Sequence, residues 1–177
     1  MAVSPKKQRV AVIGAGVAGI TTAAALKQSG VDAVVYEKEE IPGGHLNLWH
    51  ALFPGRESAG TVRDGFMKAI DENSLQIHTG TQVSAIERVN GHFRVTTTTG
   101  ETADYGAVVL ANGFRLFDAS RKEEYGYGIY PRVITSPDLE KMLGDTGPGL
   151  TILDKAPRRV AFVHCVGSRD AKVGNLY

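Results

Sequence analysis

The sequence has little cysteine, no long apolar run and no excess of charge of one sign. Its 177 residues include one cysteine, Cys165, which excludes a disulfide within the chain. The 20 basic and 19 acidic side chains give a net charge of +1, which provides no electrostatic reason to expect nucleic acid or an anionic membrane as a partner. No apolar run approaches the ~20 residues of a spanning helix. We therefore expect a soluble, cytoplasmic chain with no direct membrane insertion.

The fold class follows from one stretch near the start of the chain, residues 8–19 (QRVAVIGAGVAG). The apolar run Val10–Ile13 is typical of a buried parallel strand. Three glycines follow it with the spacing GxGxxG, namely Gly14, Gly16 and Gly19. The Ala-rich segment Ile20–Gln28 then predicts a helix that ends at a capping glycine, Gly30. Strand, glycine turn and helix in this order predict a Rossmann-like α/β fold.

The glycine turn has the chemistry of a dinucleotide-binding site. Gly14 can adopt a conformation closed to other residues, Gly16 leaves room for a pyrophosphate at the backbone, and Gly19 lets the helix pack closely on the strand. The unpaired N–H groups at the start of the helix, around Val17 and Ala18, would face the phosphates. The turn therefore predicts that the chain binds a dinucleotide.

The second strand, predicted at residues 33–36, ends beside an acid. Glu37 lies 18 positions after Gly19, close to the ~20 expected for a carboxylate that accepts hydrogen bonds from a ribose, and Lys38 follows it. A second glycine loop comes next, and we expect three of its residues to line the cofactor: Gly43, Gly44 and His45. An acid followed by a Gly-Gly loop is common in flavoproteins with two dinucleotide-binding domains, so this arrangement favours FAD over NAD.

The middle of the chain predicts one more helix and five more strands. Thr61, with Asp64 three positions later, resembles a capping box that starts a helix. Strands are predicted over residues 75–78, 83–89, 93–99, 102–105 and 107–110, and Asn-Gly at 90–91 indicates a hairpin. A parallel sheet interrupted by a three-stranded antiparallel meander resembles the FAD domains of glutathione reductase and thioredoxin reductase.

That resemblance implies further contacts with the cofactor. Val83 would offer backbone contacts to the adenine, and the residues that close the last strand would lie by the flavin: Ala111, Asn112 and Gly113. In these domains the closing strand usually ends in Ala-Thr-Gly, whereas this sequence has Asn112 in place of the threonine. Because asparagine retains a hydrogen-bond donor and an acceptor, we keep these residues in the expected site.

Three longer motifs resemble a narrower family, the A subunits of heterodisulfide reductases. They are GGHLNLWHALFP at 43–54, EYGYGIYPRVITS at 124–136 and VAFVHCVGSRD at 160–170. The family includes versions from sulfur-oxidising systems and related quinone-interacting oxidoreductase subunits. Its members bind FAD in a thioredoxin-reductase-like module and pass electrons between the flavin and iron–sulfur clusters.

The resemblance implies a flavin-dependent oxidoreductase that acts as an electron-transfer subunit. It implies non-covalent FAD and, as partners, the other subunits of a heterodisulfide-reductase-like complex, and it leaves a homodimer open. In the family the cysteine of CVGSRD begins a segment associated with a [4Fe–4S] cluster, which normally takes four cysteines. Cys165 would then be one ligand of a cluster completed by residues outside this chain, whereas the residues alone also allow an inert core cysteine. No side chain is predicted as a catalytic acid, base or nucleophile, because the flavin performs the chemistry.

We expect three segments along the chain. These are a flexible leader over residues 1–7, the FAD-binding domain over 8–150, and the incomplete beginning of an inserted second dinucleotide-type domain over 151–177, which a strand at 160–163 would open. The segment that returns to the flavin in such proteins is missing, so we expect a fragment. Two alternatives stay open: an NAD(P)H-dependent flavoprotein reductase or monooxygenase, and a non-catalytic nucleotide-binding assembly module.

Overall fold

The computed structural model describes residues 9–145, 156–164 and 166–174. Their contacts divide the chain into two compact units. The first contains the described residues up to Asn47 together with Leu52–Gly113, and the second contains Leu48–Ala51 and the described residues from Phe114 onward. The predicted leader, the predicted boundary at residue 150 and Cys165 lie outside the described residues, so those assignments stay predictions.

The described residues form nine strands and three α-helices. In chain order they are β1 (Val10–Ile13), α1 (Val17–Gln28), β2 (Ala33–Tyr36), β3 (Ala51–Leu52), β4 (Glu57–Ser58), α2 (Ala59–Glu72), β5 (Gln76–His78), β6 (Val83–Val89), β7 (His92–Thr97), β8 (Thr102–Tyr105), β9 (Ala107–Leu110) and α3 (Ser136–Asp145). Short 3-10 helices cover Gly44–Asn47, Ala119–Arg121, Glu123–Tyr125 and Ala171–Val173.

A four-stranded parallel sheet organises the first unit. Its strand order is β5-β2-β1-β9, so β1 lies in the middle. Val12 of β1 is paired with Val35 of β2 on one side and with Val109 of β9 on the other. Strands of this kind are covered on both faces, and apolar β-branched side chains suit such positions. The predicted fold class is therefore confirmed.

Helices α1 and α2 bury one face of this sheet. Val12, Val35, Ile20 and Ala23 are inaccessible to solvent and form the centre of the cluster. The partly buried side chains of α2 that pack against them are Phe66, Met67 and Ile70. Burying an aliphatic side chain of this size stabilises the fold by roughly 1.5–3 kcal/mol. This cluster holds the start of α1 in a fixed place relative to the end of β1.

The antiparallel meander covers the other side of the sheet. Its strand order is β6-β7-β8, and Asn90 and Gly91 form the first turn with φ values of 48° and 85°. Val95 and Tyr105 of the meander pack with Val34 and Tyr36 of β2 in a second buried cluster. The predicted three-stranded meander is thus confirmed.

Three local expectations differ from the structure. Helix α2 begins at Ala59 with Ser58 as its N-cap, whose Oγ accepts from the Thr61 N–H at 3.4 Å, so Thr61 lies inside the helix. The second glycine loop, for which no helix is predicted, contains the 3-10 helix Gly44–Asn47. The predicted strand at 160–163 is wrong, since that segment has no regular structure.

In the second unit, a buried lysine joins two distant segments. Lys122 is 4% exposed, and its Nζ lies 2.7 Å from Glu124 Oε1 and 2.6 Å from Asp170 Oδ2. Nearby, Arg121 Nη2 donates to the Val173 carbonyl at 3.3 Å. These contacts attach residues 166–174 to the segment around Lys122, as a buried ammonium requires acidic partners.

Candidate functional site

The carboxyl ends of three neighbouring strands place the predicted site residues along one edge of the sheet. Glu37 follows β2, the glycine turn at 14–16 follows β1, and residues 111–113 follow β9. Because parallel strands lie roughly 4.8 Å apart, these three positions form a row in that order. Ligands of open α/β sheets bind outside this edge.

Two of the three motif glycines are required for the packing of the chain, whether or not a ligand is bound. Gly14 has φ of 106°, and a Cβ added there would overlap the carbonyl oxygen of Ala111. A Cβ added at Gly19 would overlap the carbonyl oxygen of Gly14. A side chain at either position would therefore separate α1 or β9 from the turn, which explains these glycines without a ligand.

Gly16 is different, because a Cβ added there would fit without overlap. A Cβ there would have the Gly44 Cα, at 4.0 Å, as its nearest neighbour. Gly16 is also the N-cap of α1, where no side chain caps the helix, and Val17 and Ala18 are exposed in the first turn. Uncapped N–H groups beside open space suit a phosphate.

The carboxylate of Glu37 is buried and tied to the glycine turn. Glu37 is 5% exposed, and its Oε2 accepts from the Ala15 N–H at 2.6 Å. Its Oε1 accepts from the Glu39 N–H at 3.0 Å. Each carboxylate oxygen can accept more than one hydrogen bond, so both retain capacity for a ribose hydroxyl. Lys38 points away from this arrangement, as its Nζ pairs with Glu39 at 3.3 Å on the exposed surface.

The second glycine loop lies against the first. The Gly43 N–H donates to the Ala15 carbonyl at 2.8 Å, and a Cβ on Gly44 would come within 3.2 Å of the Gly16 Cα. Asn47 holds the loop, because its Nδ2 donates to the Pro42 carbonyl at 3.1 Å. The loop therefore forms the opposite wall of the open space at Gly16. We call this space, bounded by the two glycine loops, the cradle.

The remaining predicted residues lie at the two ends of this row. Val83 starts β6 and packs in the cluster that contains Tyr36, on the side of Glu37. At the other end, His45 Nδ1 lies 4.0 Å from the position of a Cβ built on Gly113, and Asn112 and Gly113 are exposed. The β9 end of the row is thus exposed at Asn112 and Gly113.

A buried pair of tyrosines lies next to Glu37, at the β2 end of the row of site residues. The hydroxyl groups of Tyr36 and Tyr105 lie 2.7 Å apart, and Tyr36 also stacks on His78 with ring centroids 5.4 Å apart. Burial of the phenol, followed by its hydrogen bond with Tyr36, raises the pKa of Tyr105 above its usual range. Since Glu37 directly follows Tyr36, this contact fixes the backbone that carries the carboxylate.

Sequence reasoning missed the residues that hold the cradle together. Ala15 acts through its backbone, Asn47 through its side chain, and Tyr105 through a contact between distant strands. Of these, only Asn47 could have been recognised from the sequence, because an asparagine in a glycine-containing loop often donates or accepts a hydrogen bond with the backbone of that loop.

The described residues show neither a metal site nor a membrane-spanning helix. Among them no three His, Cys, Asp or Glu side chains come together in a way that could hold a metal ion. Nor does any helix of the described part have the length and apolar character needed to cross a membrane. Cys165, the predicted cluster ligand, lies outside the described residues.

Comparison with known proteins decides the family. The profile of the pyridine nucleotide-disulphide oxidoreductases matches residues 8–138. The chain belongs to this family. It has the family's FAD-binding fold, and the cradle fits that cofactor because a Cβ at Gly16 would meet no atom closer than 4.0 Å, so the backbone there is open to a phosphate.

The curated relatives confirm the narrower resemblance to the A subunits of heterodisulfide reductases. The chain is 28% identical, over 98% of its length, to the A subunit of the ferredoxin/F(420)H(2)-dependent CoB-CoM heterodisulfide reductase of Methanosarcina acetivorans, of which it covers 33%. It is 52% identical, over 41% of its length, to the iron-sulfur A subunit of the CoB–CoM heterodisulfide reductase of Methanocaldococcus jannaschii, of which it covers 12%. The chain thus spans about a third or less of the length of these relatives.

Solved structures agree on the fold of this family member. A flavin-containing monooxygenase from Stenotrophomonas maltophilia superposes with a TM-score of 0.54 at 21% identity, covering 60% of this chain and 38% of that one. A bacillithiol disulfide reductase from Staphylococcus aureus gives 0.53 at 16% identity, covering 60% and 39%.

Proposed function

We propose that this chain is the FAD-binding part of a heterodisulfide-reductase-like electron-transfer subunit. It would hold FAD non-covalently and exchange electrons with iron–sulfur centres in the same assembly. The observation that carries this proposal is the cradle, where glycine backbone leaves an opening between two loops and a buried carboxylate lies one strand away. The names of the curated relatives, one of which is an iron-sulfur subunit, support the partners.

The residues of this chain would bind and orient the cofactor rather than react with it. The backbone N–H groups at the start of α1 would hold the pyrophosphate, and Glu37 would accept from a ribose hydroxyl while it stays bonded to Ala15. When bound, the flavin supplies the exchange between two-electron and one-electron steps. This role therefore requires no acid, base or nucleophile from the cradle.

The first test is a visible absorption spectrum of the purified chain, followed by release of the cofactor and its identification by mass. We expect flavin bands and one FAD per chain, either as purified or after FAD is added. A chain that neither carries nor takes up FAD would contradict the proposal and favour a non-catalytic assembly module.

A second test separates electron relay from an ordinary NAD(P)H-dependent reductase or monooxygenase. The flavin-loaded chain is mixed anaerobically with NADH, NADPH or a reduced one-electron iron–sulfur protein, and flavin bleaching is followed. We expect faster reduction by the iron–sulfur donor. Rapid reduction by a pyridine nucleotide alone would instead support the reductase alternative.

A further inference from the structure

We propose that Asn47 is a positioning residue that sets the affinity of the cradle for FAD by holding the second glycine loop in place. The inference rests on the proposed function, because it concerns how the cradle binds its cofactor. It starts from the composition of that loop. Gly43 and Gly44 have φ values of 121° and 57°, which L side chains rarely adopt. Two successive glycines are also the residues with the greatest backbone freedom, so this wall of the cradle must be held by its neighbours.

Backbone contacts fix one side of the loop. The Gly43 N–H donates to the Ala15 carbonyl at 2.8 Å, which ties the loop to the glycine turn after β1. The Leu46 N–H donates to the Gly43 carbonyl at 3.2 Å, and the Leu46 side chain is buried at 3% exposure. These contacts anchor the loop at Gly43 and at Leu46.

The side-chain amide of Asn47 joins the two ends of the loop. Its Nδ2 donates to the Pro42 carbonyl at 3.1 Å and to the Ile41 carbonyl at 3.4 Å. Its Oδ1 lies 2.9 Å from the position of a Cβ built on Gly43, so the amide packs directly against the Gly43 backbone. Asn47 therefore connects the last residue of the 3-10 helix with the residues that precede the glycine pair.

This connection determines where Gly44 lies relative to Gly16. A Cβ on Gly44 would lie 3.2 Å from the Gly16 Cα, so the two loops are closely packed at this point. Without the Asn47 amide, the glycine pair would sample other conformations, and only a fraction of the chains would have the cradle formed. The apparent dissociation constant equals that of the formed cradle divided by this fraction. Asn47 would thus raise the affinity for FAD without touching it, because the loop is ordered before the ligand binds.

The experiment compares two Asn47 variants with a matched control. Asn47→Leu keeps the size and the neutral charge of the side chain but removes the donor, and Asn47→Ala removes the side chain. Asn73→Leu is the control, because Asn73 Nδ2 also donates to a backbone carbonyl, that of Ala69 at 2.8 Å, but lies at the end of α2. Three quantities are measured for each chain: the dissociation constant for FAD by fluorescence titration, the melting temperature without FAD, and hydrogen exchange of the Gly43 and Leu46 amides with and without FAD.

We expect the dissociation constant for FAD to rise about fivefold in Asn47→Leu, as the loss of one neutral hydrogen bond produces, and at least as much in Asn47→Ala. Without FAD, the amides of Gly43 and Leu46 should exchange faster in both variants than in the wild type, and saturating FAD should restore their protection. The melting temperature should change little, because Asn47 is exposed. Asn73→Leu should leave FAD affinity and the exchange of both amides unchanged.

Unchanged FAD affinity in both Asn47 variants would overturn the inference and leave the proposed function intact. Weaker binding without faster exchange at Gly43 and Leu46 would also overturn it, because Asn47 would then act on FAD directly. A large fall in the melting temperature of both variants would indicate a general structural role and would overturn it as well. A wild-type chain that takes up no FAD would overturn the proposed function together with the inference, and this outcome is distinguishable because it concerns the unmodified chain.

Discussion

Gly16 and Gly44 face each other across the cradle with only backbone between them. A Cβ on Gly16 would meet the Gly44 Cα at 4.0 Å and no closer atom, although that on Gly44 would lie 3.2 Å from the Gly16 Cα. The protein by itself thus has room for a methyl group at Gly16, where φ is −79° and ψ is −171°, values that alanine adopts freely. Under the proposed placement of the pyrophosphate, the bound ligand would exclude a side chain there.

Gly16→Ala should therefore retain the fold and lose FAD. We expect the dissociation constant for FAD to rise by tenfold or more, about 1.4 kcal/mol of binding free energy, with little change in melting temperature. Gly65→Ala is the matched control, because Gly65 lies within α2 with open space around it. It should leave FAD binding unchanged and stabilise the chain by roughly 0.5–1 kcal/mol. Stoichiometric FAD in Gly16→Ala would contradict the placement of the pyrophosphate.

Replacing Glu37 should weaken both FAD binding and the fold. Its carboxylate accepts from the N–H groups of Ala15 and Glu39 while 5% exposed, and a hydrogen bond to a charged group contributes about 1.5–3 kcal/mol. Glu37→Ala removes both bonds, so we expect the free energy of unfolding to fall by about 2 kcal/mol or more. Urea unfolding without FAD and fluorescence titration with FAD measure the two effects. Lys38→Ala, one residue away, should change neither.

Tyr36 and Tyr105 should show coupled effects on stability. Tyr105→Phe leaves the Tyr36 hydroxyl buried without its partner at 2.7 Å, which costs about 1–3 kcal/mol. The double variant Tyr36→Phe/Tyr105→Phe removes both hydroxyls and should be more stable than the sum of the single variants predicts. Additive single effects would mean that the contact contributes nothing of its own.

The same pair predicts a dependence on alkaline pH. The pKa of Tyr105 is raised in the folded chain, first by burial and then by its bond with Tyr36. The unfolded phenol has a pKa of about 10, so the stabilisation is complete below that pH and is lost progressively above it. As the pH is raised from neutral to above about 10, the free energy of unfolding of Tyr105→Phe should fall less than that of the wild type. Urea unfolding at each pH measures this difference.

Asp170→Asn should release the segment 166–174 in the second unit. The hydrogen bond from Lys122 holds the pKa of Asp170 below its usual range. Since a lowered carboxyl pKa stabilises the fold above the unfolded value, about 3.9, the contact is lost as pH falls below it. Hydrogen exchange of 166–174 should be faster in Asp170→Asn than in the wild type at neutral pH. Lys172→Gln is the control, because Lys172 is exposed and lies 3.7 Å from Glu124.

The sequence by itself determined the four strands of the parallel sheet, its two helices and the meander, and it predicted which turn binds a ligand. The runs Val10–Ile13 and Ala33–Tyr36, the spacing GxGxxG and the Asn-Gly turn each act over a few neighbouring residues, so their structure can be predicted from local patterns. Strands β1, β2, β6, β8 and β9 have the predicted bounds. The start of α2 was predicted wrongly because Ser58 and Thr61 are both good caps, and the sequence alone does not choose between them.

Only the tertiary structure decided which residues meet. The sequence identifies Glu37 as an acid at the end of a strand. Its burial and its hydrogen bond with the Ala15 N–H depend on how β2 lies beside β1. The contact of Tyr36 with Tyr105 joins residues 69 positions apart, and that of Lys122 with Asp170 joins two segments of the second unit. The sequence shows which residues can bind a dinucleotide. The order of the strands along the binding edge was decided by the tertiary structure, because the pairing of β9 with β1 is a long-range contact that no local pattern encodes.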